Sequence, residues 1–243
     1  ERIVAGVDAT CENALRSAIE TVRPNVVVNA VGVVKQLPEA ANVINTLSLN
    51  SILPHRLSQL GAEYGFRLIA ISTDCVFTGE KGMYSEDDPP DARDLYGLSK
   101  FLGEVNAPNA LTIRTSIIGR EIGSGHGLLE WFLSNRGGRV KGFPNAIFSG
   151  FPTIVFADII ERLIRDYPCL NGVYHISSEP ISKLDLLHLF NEFYAASVEI
   201  EPEGSVSIDR SLDSSRFRAE TGLMPDDWRS MVKRMADDAM PYE

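Results

Sequence analysis

Tyr96-Gly97-Leu98-Ser99-Lys100 sets a phenol and an ammonium four residues apart. On a helix, positions i and i+4 share one face and lie within side-chain reach. A phenol with its ordinary pKa near 10 is a poor acid or base at neutral pH, and a nearby cation lowers that value by stabilising the phenolate. The pair therefore predicts a general acid for a carbonyl undergoing reduction. Upstream, Ser72-Thr73-Asp74 ends the apolar run Leu68-Ile69-Ala70-Ile71. Carboxyl ends of parallel strands are where open α/β sheets bind ligands, and a hydroxyl there can hold a substrate carbonyl oxygen as charge develops on it. Taken singly, each feature also reads as plain structure, an exposed helix pair or a turn-capping threonine. Their succession is far more specific.

The elements that must position these groups alternate. Asp8 or Thr10 can cap a helix whose apolar face is Leu15, Ala18, Ile19 and Val22, and Pro24 stops it. Val26 to Val31 is a β-branched run that predicts a strand buried on both faces. Pro38 to Gly65 predicts helix, kinked or divided by Pro54. Arg67–Thr73 and Leu111–Gly119 predict two further buried strands, and Val173–Ile176 and Val198–Ile200 two short ones. Further helices are expected from Leu128 and over Thr153–Asp166, Ser182–Ala195 and Asp227–Met240. Gly119 to Gly127 lacks the last glycine of a dinucleotide fingerprint, where Leu128 stands, and predicts a loop. Strands alternating with helices mean βαβ crossovers and a mostly parallel, doubly wound sheet.

Composition narrows the partners. The 243 residues carry 23 Lys plus Arg against 33 Asp plus Glu, a net charge of −10 that argues against nucleic acid. Cys11, Cys75 and Cys169 are too scattered for a disulfide framework, and His55, His126, His175 and His188 show no metal-ligand spacing. No run nears the ~18 apolar residues of a membrane span. The expectation is a soluble, cytoplasmic α/β protein with no membrane partner and no metal.

The chain resembles the extended short-chain dehydrogenase/reductase superfamily, and within it the dTDP-4-dehydrorhamnose reductases and related nucleotide-sugar reductases. The matching stretches are Arg23 to Ala30, Ile71 to Gly79, Tyr84 to Pro90, Leu95 to Lys100 with Gly103-Glu104, Ile113 to Ser116, and Gly150 to Thr153. The resemblance implies a Rossmann-like fold and reduction of the C4 ketone of a nucleotide-linked 4-keto-6-deoxy sugar by NADP or NAD in its reduced form. Tyr96 would protonate the carbonyl oxygen, Lys100 would lower the phenol pKa and meet the nicotinamide ribose, and Thr73 would orient the substrate. Asp8, Ala30, Val31, Gly32, Asn50, Ser72 and Ser116 would lie along the cofactor. Asp74, Cys75, Trp131 and Arg218 would line the nucleotide-sugar substrate, with Lys35, Lys141, Arg210 and Arg216 further phosphate candidates. Each of these cations reads equally well as a solvated surface charge. Arg114, inside an apolar strand, must have a partner, expected to be structural.

Residues 1–122, rejoined by 151–178, would form the dinucleotide-binding domain, and 123–150 with 179–243 the substrate-binding region. A homodimer is a further expectation. The family begins with a strand, a glycine-rich turn and a helix that have no counterpart before Glu1, so the native chain is expected to be longer. Dehydratases of the superfamily carry Glu where Cys75 stands, which removes the base for elimination of water. Epimerase or epimerase–reductase chemistry, and a non-catalytic regulatory subunit that binds cofactor, remain the alternatives to reduction.

Overall fold

The computed structural model describes residues 3–35, 38–123 and 125–240. Contacts gather the chain into two units, the first made of residues 1–76, 90–114 and 169–174, the second of 77–89, 115–168 and 175–243.

The first unit is built on the β-branched runs. Strands β1 (Val26–Asn29), β2 (Arg67–Ile71) and β3 (Ala110–Arg114) are parallel neighbours, and Gly172–His175 completes a four-stranded sheet beyond β3. Strand β2 has partners on both edges, and Leu68, Ile69 and Ala70 are buried. Strand β1 stops at Asn29, short of the expected Val31, and Val28 is exposed; it is an edge strand among the described residues, not one buried on both faces. Helix α1 (Glu12–Val22) and the long helix described next pack Leu15, Ile19, Leu53, Leu57 and Leu60 against Phe66, Leu68 and Ala70. Helix α1 starts after Cys11, so neither Asp8 nor Thr10 caps it; the Asp8 carboxylate accepts the Thr10 amide and hydroxyl at 2.8 and 2.7 Å instead.

The helix expected over 38–65 is divided. A 3₁₀ turn, Pro38–Ala41, precedes α2 (Val43–Leu47), a π-helical turn occupies Ser48–Ile52, and α3 runs over Leu53–Tyr64. Pro54 falls in the first turn of α3, where its missing N–H costs nothing, and the widened turn just before it absorbs the irregularity. Gly65, with φ 79°, closes α3 in the left-handed region. Helix α4 (Leu95–Leu102) follows, opened by Asp94, whose carboxylate accepts the Gly97 amide at 3.1 Å.

The strand expected over 111–119 breaks after Arg114. Ile117–Ile118 belongs to the second unit, where it pairs in parallel with Phe151–Pro152. The second unit also holds small sheets: Arg139–Gly142 with Glu199–Pro202, and Ala146–Phe148 between Ile208–Asp209 and Ile181–Ser182. Helices Leu128–Ser134, Thr153–Arg165, Lys183–Phe193, Ser215–Thr221 and Trp228–Ala236 cover them. Ser182 caps its helix as its spacing to Asp185 predicts, accepting the Asp185 amide at 3.0 Å. Residues 77–89 fall in this unit because Tyr84 stacks on Phe77 and exchanges backbone hydrogen bonds with Ser211 and Asp213. The units divide the chain at other points than the expected domains: residues 77–89, 115–122, 151–168 and 175–178 group with the second unit.

Candidate active site

The carboxyl end of β2 and the start of α4 bring the chemistry-bearing residues together in the first unit. Ser72 still pairs with the sheet, donating its amide to the Ile113 carbonyl at 2.7 Å. Thr73 follows, buried, with its hydroxyl accepting the Cys75 amide at 3.1 Å and donating to Asp74 at 3.3 Å. Asp74–Val76 is a 3₁₀ turn, and α4 lies directly against it. Gly97 makes that approach possible: a methyl group there would sit 2.3 Å from the Cys75 carbonyl oxygen and 2.5 Å from Ala92 Cβ.

Tyr96 and Lys100 are half-buried on one face of α4. Burial pushes the Tyr96 phenol well above its ordinary pKa. Cys75, Asp74 and Asp94 push it the same way, while a hydrogen bond with the Thr73 hydroxyl works against them. This reverses the lowering expected from the Tyr–Lys spacing. The ammonium of Lys100 is turned to the Ile71 carbonyl oxygen at 2.6 Å, and desolvation of the phenol, with Cys75 next, dominates. Burial pushes Lys100 itself down to about 8, and Glu104 opposes that shift. The arrangement is a protonated phenol beside a buried hydroxyl, with a cation of adjustable charge one helical turn away. The raised pKa makes the phenol a weak donor by itself; it can give a proton to a carbonyl oxygen where a cation such as Lys100 stabilises the phenolate left behind.

The π turn supplies Asn50, fully buried. Its side chain accepts the Val33 amide at 2.9 Å and donates to the Val33 carbonyl at 3.0 Å and the Ser99 hydroxyl at 3.1 Å. Ser51 donates to the Ser99 carbonyl at 2.7 Å. The loop that leaves β1 is thereby pinned to α4 between Tyr96 and Lys100. Before that clamp, Ala30, Val31 and Gly32 are exposed at the end of β1, a shelf of small residues and open backbone. Lys35 pairs with Asp94 at 3.3 Å, an exposed contact of little energetic weight. Asp8 is exposed.

Sequence reasoning left the partner of Arg114 unnamed. It is Glu104, just past the end of α4, held by two bonds of 2.8 and 2.7 Å with both side chains almost fully buried. Ser72 donates its hydroxyl to the same carboxylate at 2.8 Å. The charge in the apolar strand was the signal that a partner existed. Losing one member of such a buried pair costs about 3–5 kcal/mol.

Ser116, Trp131 and Arg218 belong to the second unit. The Ser116 carbonyl accepts the Phe151 amide at 2.9 Å, and Trp131 is partly exposed on Leu128–Ser134. Arg218 binds Glu179 at 2.7 Å and the Ser177 carbonyl at 3.3 Å. Lys141 pairs with Glu203, Arg216 with Glu220, and Arg210 donates to the Phe77 carbonyl. Among the described residues no His, Cys, Asp and Glu group could hold a metal, and no helix is long and apolar enough to cross a membrane.

Known proteins share this architecture. The chain is 25% identical over 253 residues to a dTDP-4-dehydrorhamnose reductase of Aggregatibacter actinomycetemcomitans, covering 94% of this chain and 86% of that one. It is 30% identical over 194 residues to methionine adenosyltransferase 2 subunit beta of Danio rerio, covering 72% of this chain and 57% of the relative. The crystal structure of a Bacillus anthracis dTDP-4-dehydrorhamnose reductase in complex with NADP superposes with a TM-score of 0.81 at 20% identity, covering 94% of this chain and 86% of that one. That likeness establishes the Rossmann-like α/β fold. A family model described as the RmlD substrate binding domain matches residues 3–240, and the chain belongs to that family.

Proposed function

We propose that this protein reduces the C4 ketone of a nucleotide-linked 4-keto-6-deoxy sugar, with NADPH or NADH as reductant. The observation that carries the reading is the grouping of Thr73, Tyr96 and Lys100 where β2 meets α4. Tyr96, kept protonated by burial, is the acid that delivers a proton to the ketone oxygen as it becomes an alcohol. Thr73 orients that oxygen. The ammonium of Lys100 stabilises the phenolate left behind, and Asp74 and Cys75 border the sugar. The reduced nicotinamide, when bound, supplies the hydride. The small, open shelf Ala30–Gly32 fits a flat ring and ribose approaching the strand ends. Asn50 holds the adjoining backbone, and Asp8, Ser72 and Ser116 are assigned to the cofactor. Trp131 and Arg218 are assigned to the nucleotide sugar. Cofactor oxidation with dTDP-, UDP- and GDP-linked 4-keto-6-deoxy sugars tests the proposal; oxidation with at least one is expected.

A second reading has a specific support, the 30% identity to an adenosyltransferase subunit. Under it the site binds the dinucleotide without turnover. Cofactor binding with no cofactor oxidation in the presence of any panel member selects it over reduction.

A homodimer is the assembly we propose, in a soluble, cytoplasmic setting. Val43, Ile44, Ile52, Leu98, Phe101 and Leu102 are exposed on elements that pack against one another, an apolar surface suited to a second copy. Light scattering of the wild type and of an Ile44→Glu, Leu102→Glu variant reads the mass directly, with the variant expected to be a monomer.

A further inference from the structure

The end of β2 holds two opposite charges on consecutive residues. The Ile71 carbonyl accepts Lys100 Nζ at 2.6 Å, and the Ser72 hydroxyl donates to Glu104 Oε1 at 2.8 Å. Glu104 is four residues after Lys100, and its amide donates to the Phe101 carbonyl at 3.1 Å, so the turn of α4 continues into it. On the far side Arg114 of β3 grips the same carboxylate through both of its oxygens. The carboxylate and guanidinium are 4% and 6% exposed, so water screens their fields poorly.

We propose that Glu104 is a positioning residue for the reaction: its carboxylate, metered by Arg114, keeps the Lys100 ammonium charged behind Tyr96. The inference rests on the reductase reading for its chemical purpose, though not for its test.

The physical case is a balance of three effects. Burial drives Lys100 toward its neutral form, down to about 8, where a modest further drop would leave it uncharged at neutral pH. The last carbonyls of α4 favour a cation there, as does the Ile71 carbonyl, but both are dipoles. Glu104 is the full negative charge that works on Lys100. Arg114 prevents that charge from acting at full strength. Among the described residues, the other charged or titratable groups around the pair are Tyr96 and Asp94 on α4 and its cap, Asp74 and Cys75 on the turn after β2, His55 on α3, whose Nε2 meets the Leu102 carbonyl at 2.8 Å, and Lys35 on the loop after β1, paired to Asp94. Asp74, Cys75 and Asp94 act on the phenol. From the π turn come Asn50 and Ser51, which do not titrate.

Removing Glu104 does two things at once: Lys100 loses its attracting charge and meets an unpaired buried guanidinium. Glu104→Gln is expected to lower the Lys100 midpoint by about one pH unit or more. Glu104→Gln with Arg114→Met removes both charges and is expected to bring it partway back. The readout is the pH titration of ¹³C-labelled lysine side chains by NMR, with the Lys100 signal identified by its loss in Lys100→Arg. This needs no substrate, so it stands even if the protein reduces no sugar, an outcome that would sink the function and leave this inference intact. Where turnover is measured, the alkaline limb of kcat/KM should move with the NMR midpoint. A packing role for the ion pair would lower stability without moving either. An unchanged Lys100 midpoint in folded Glu104→Gln overturns the proposal. Should that variant not fold, an unchanged midpoint in the double variant does so.

Discussion

Lys100 donates its ammonium to the Ile71 carbonyl oxygen at 2.6 Å, so the last residue of β2 sets the direction of the charge behind Tyr96. A strand end fixed on both edges by parallel neighbours is a rigid anchor for a long side chain. The same backbone continues into Ser72 and Thr73, so one segment positions the Lys100 ammonium, the Glu104 carboxylate and the Thr73 hydroxyl.

Activity and stability should respond to alkaline pH in opposite senses. Burial pushes Lys100 down to about 8 in the folded protein, against about 10.4 for an unperturbed lysine, the reference for the unfolded chain. Between those values the unfolded chain holds a proton that the folded chain has released, so this group's contribution to stability rises with pH. On the proposed mechanism catalysis needs the ammonium and should fall as pH passes about 8. Denaturation midpoints across this window, compared with Lys100→Met, check the first sign: the wild type should gain on the variant. A kcat/KM profile checks the second.

Gly97→Ala tests the seating of α4. In an isolated helix this change favours helix by about 1 kcal/mol. Here the methyl group would lie 2.3 Å from a backbone carbonyl oxygen that cannot rotate away. Overpacking of this kind costs about 1–3 kcal/mol and should win, giving a less stable protein with lower kcat. A variant of equal or greater stability would mean that α4 does not press on the Asp74–Val76 turn.

Asn50→Ala removes three hydrogen bonds and leaves the Val33 amide and carbonyl without their partner. Buried groups so stranded cost about 1–3 kcal/mol. The loop after β1 should loosen, and the expected result is weaker binding of reduced dinucleotide, read by fluorescence titration, with a smaller change in kcat. Unaltered affinity in a destabilised variant would confine Asn50 to packing.

The grouping of Thr73, Tyr96 and Lys100, the proposed site, was legible in the sequence where it is local. Thr73 ends an apolar run, and Tyr96 and Lys100 are one helical turn apart, so residue type and spacing were enough. Strands β1 to β3 stood out for a similar reason, their branched and leucine-rich runs. Pairings across the fold left weaker traces. Arg114 announced a partner by its apolar setting, but nothing local pointed to Glu104, because only the pairing of β2 with β3 brings α4's end to it. Pro54 marked a break without revealing a π turn, whose use depends on Asn50 reaching Val33. The direction of the Tyr96 shift was misread because spacing reveals a neighbour's charge and not the burial that outweighs it.

The central claim is that Tyr96 donates the proton in a cofactor-consuming reduction, and one assay reaches it. Product formed and reduced dinucleotide consumed are counted together, for the wild type and for Tyr96→Phe. The account predicts one cofactor consumed per product in the wild type. In the variant, turnover should fall by at least ~100-fold, the lower end for losing a general acid, with cofactor still bound. Product formed without net cofactor consumption, or full turnover in Tyr96→Phe, would contradict it.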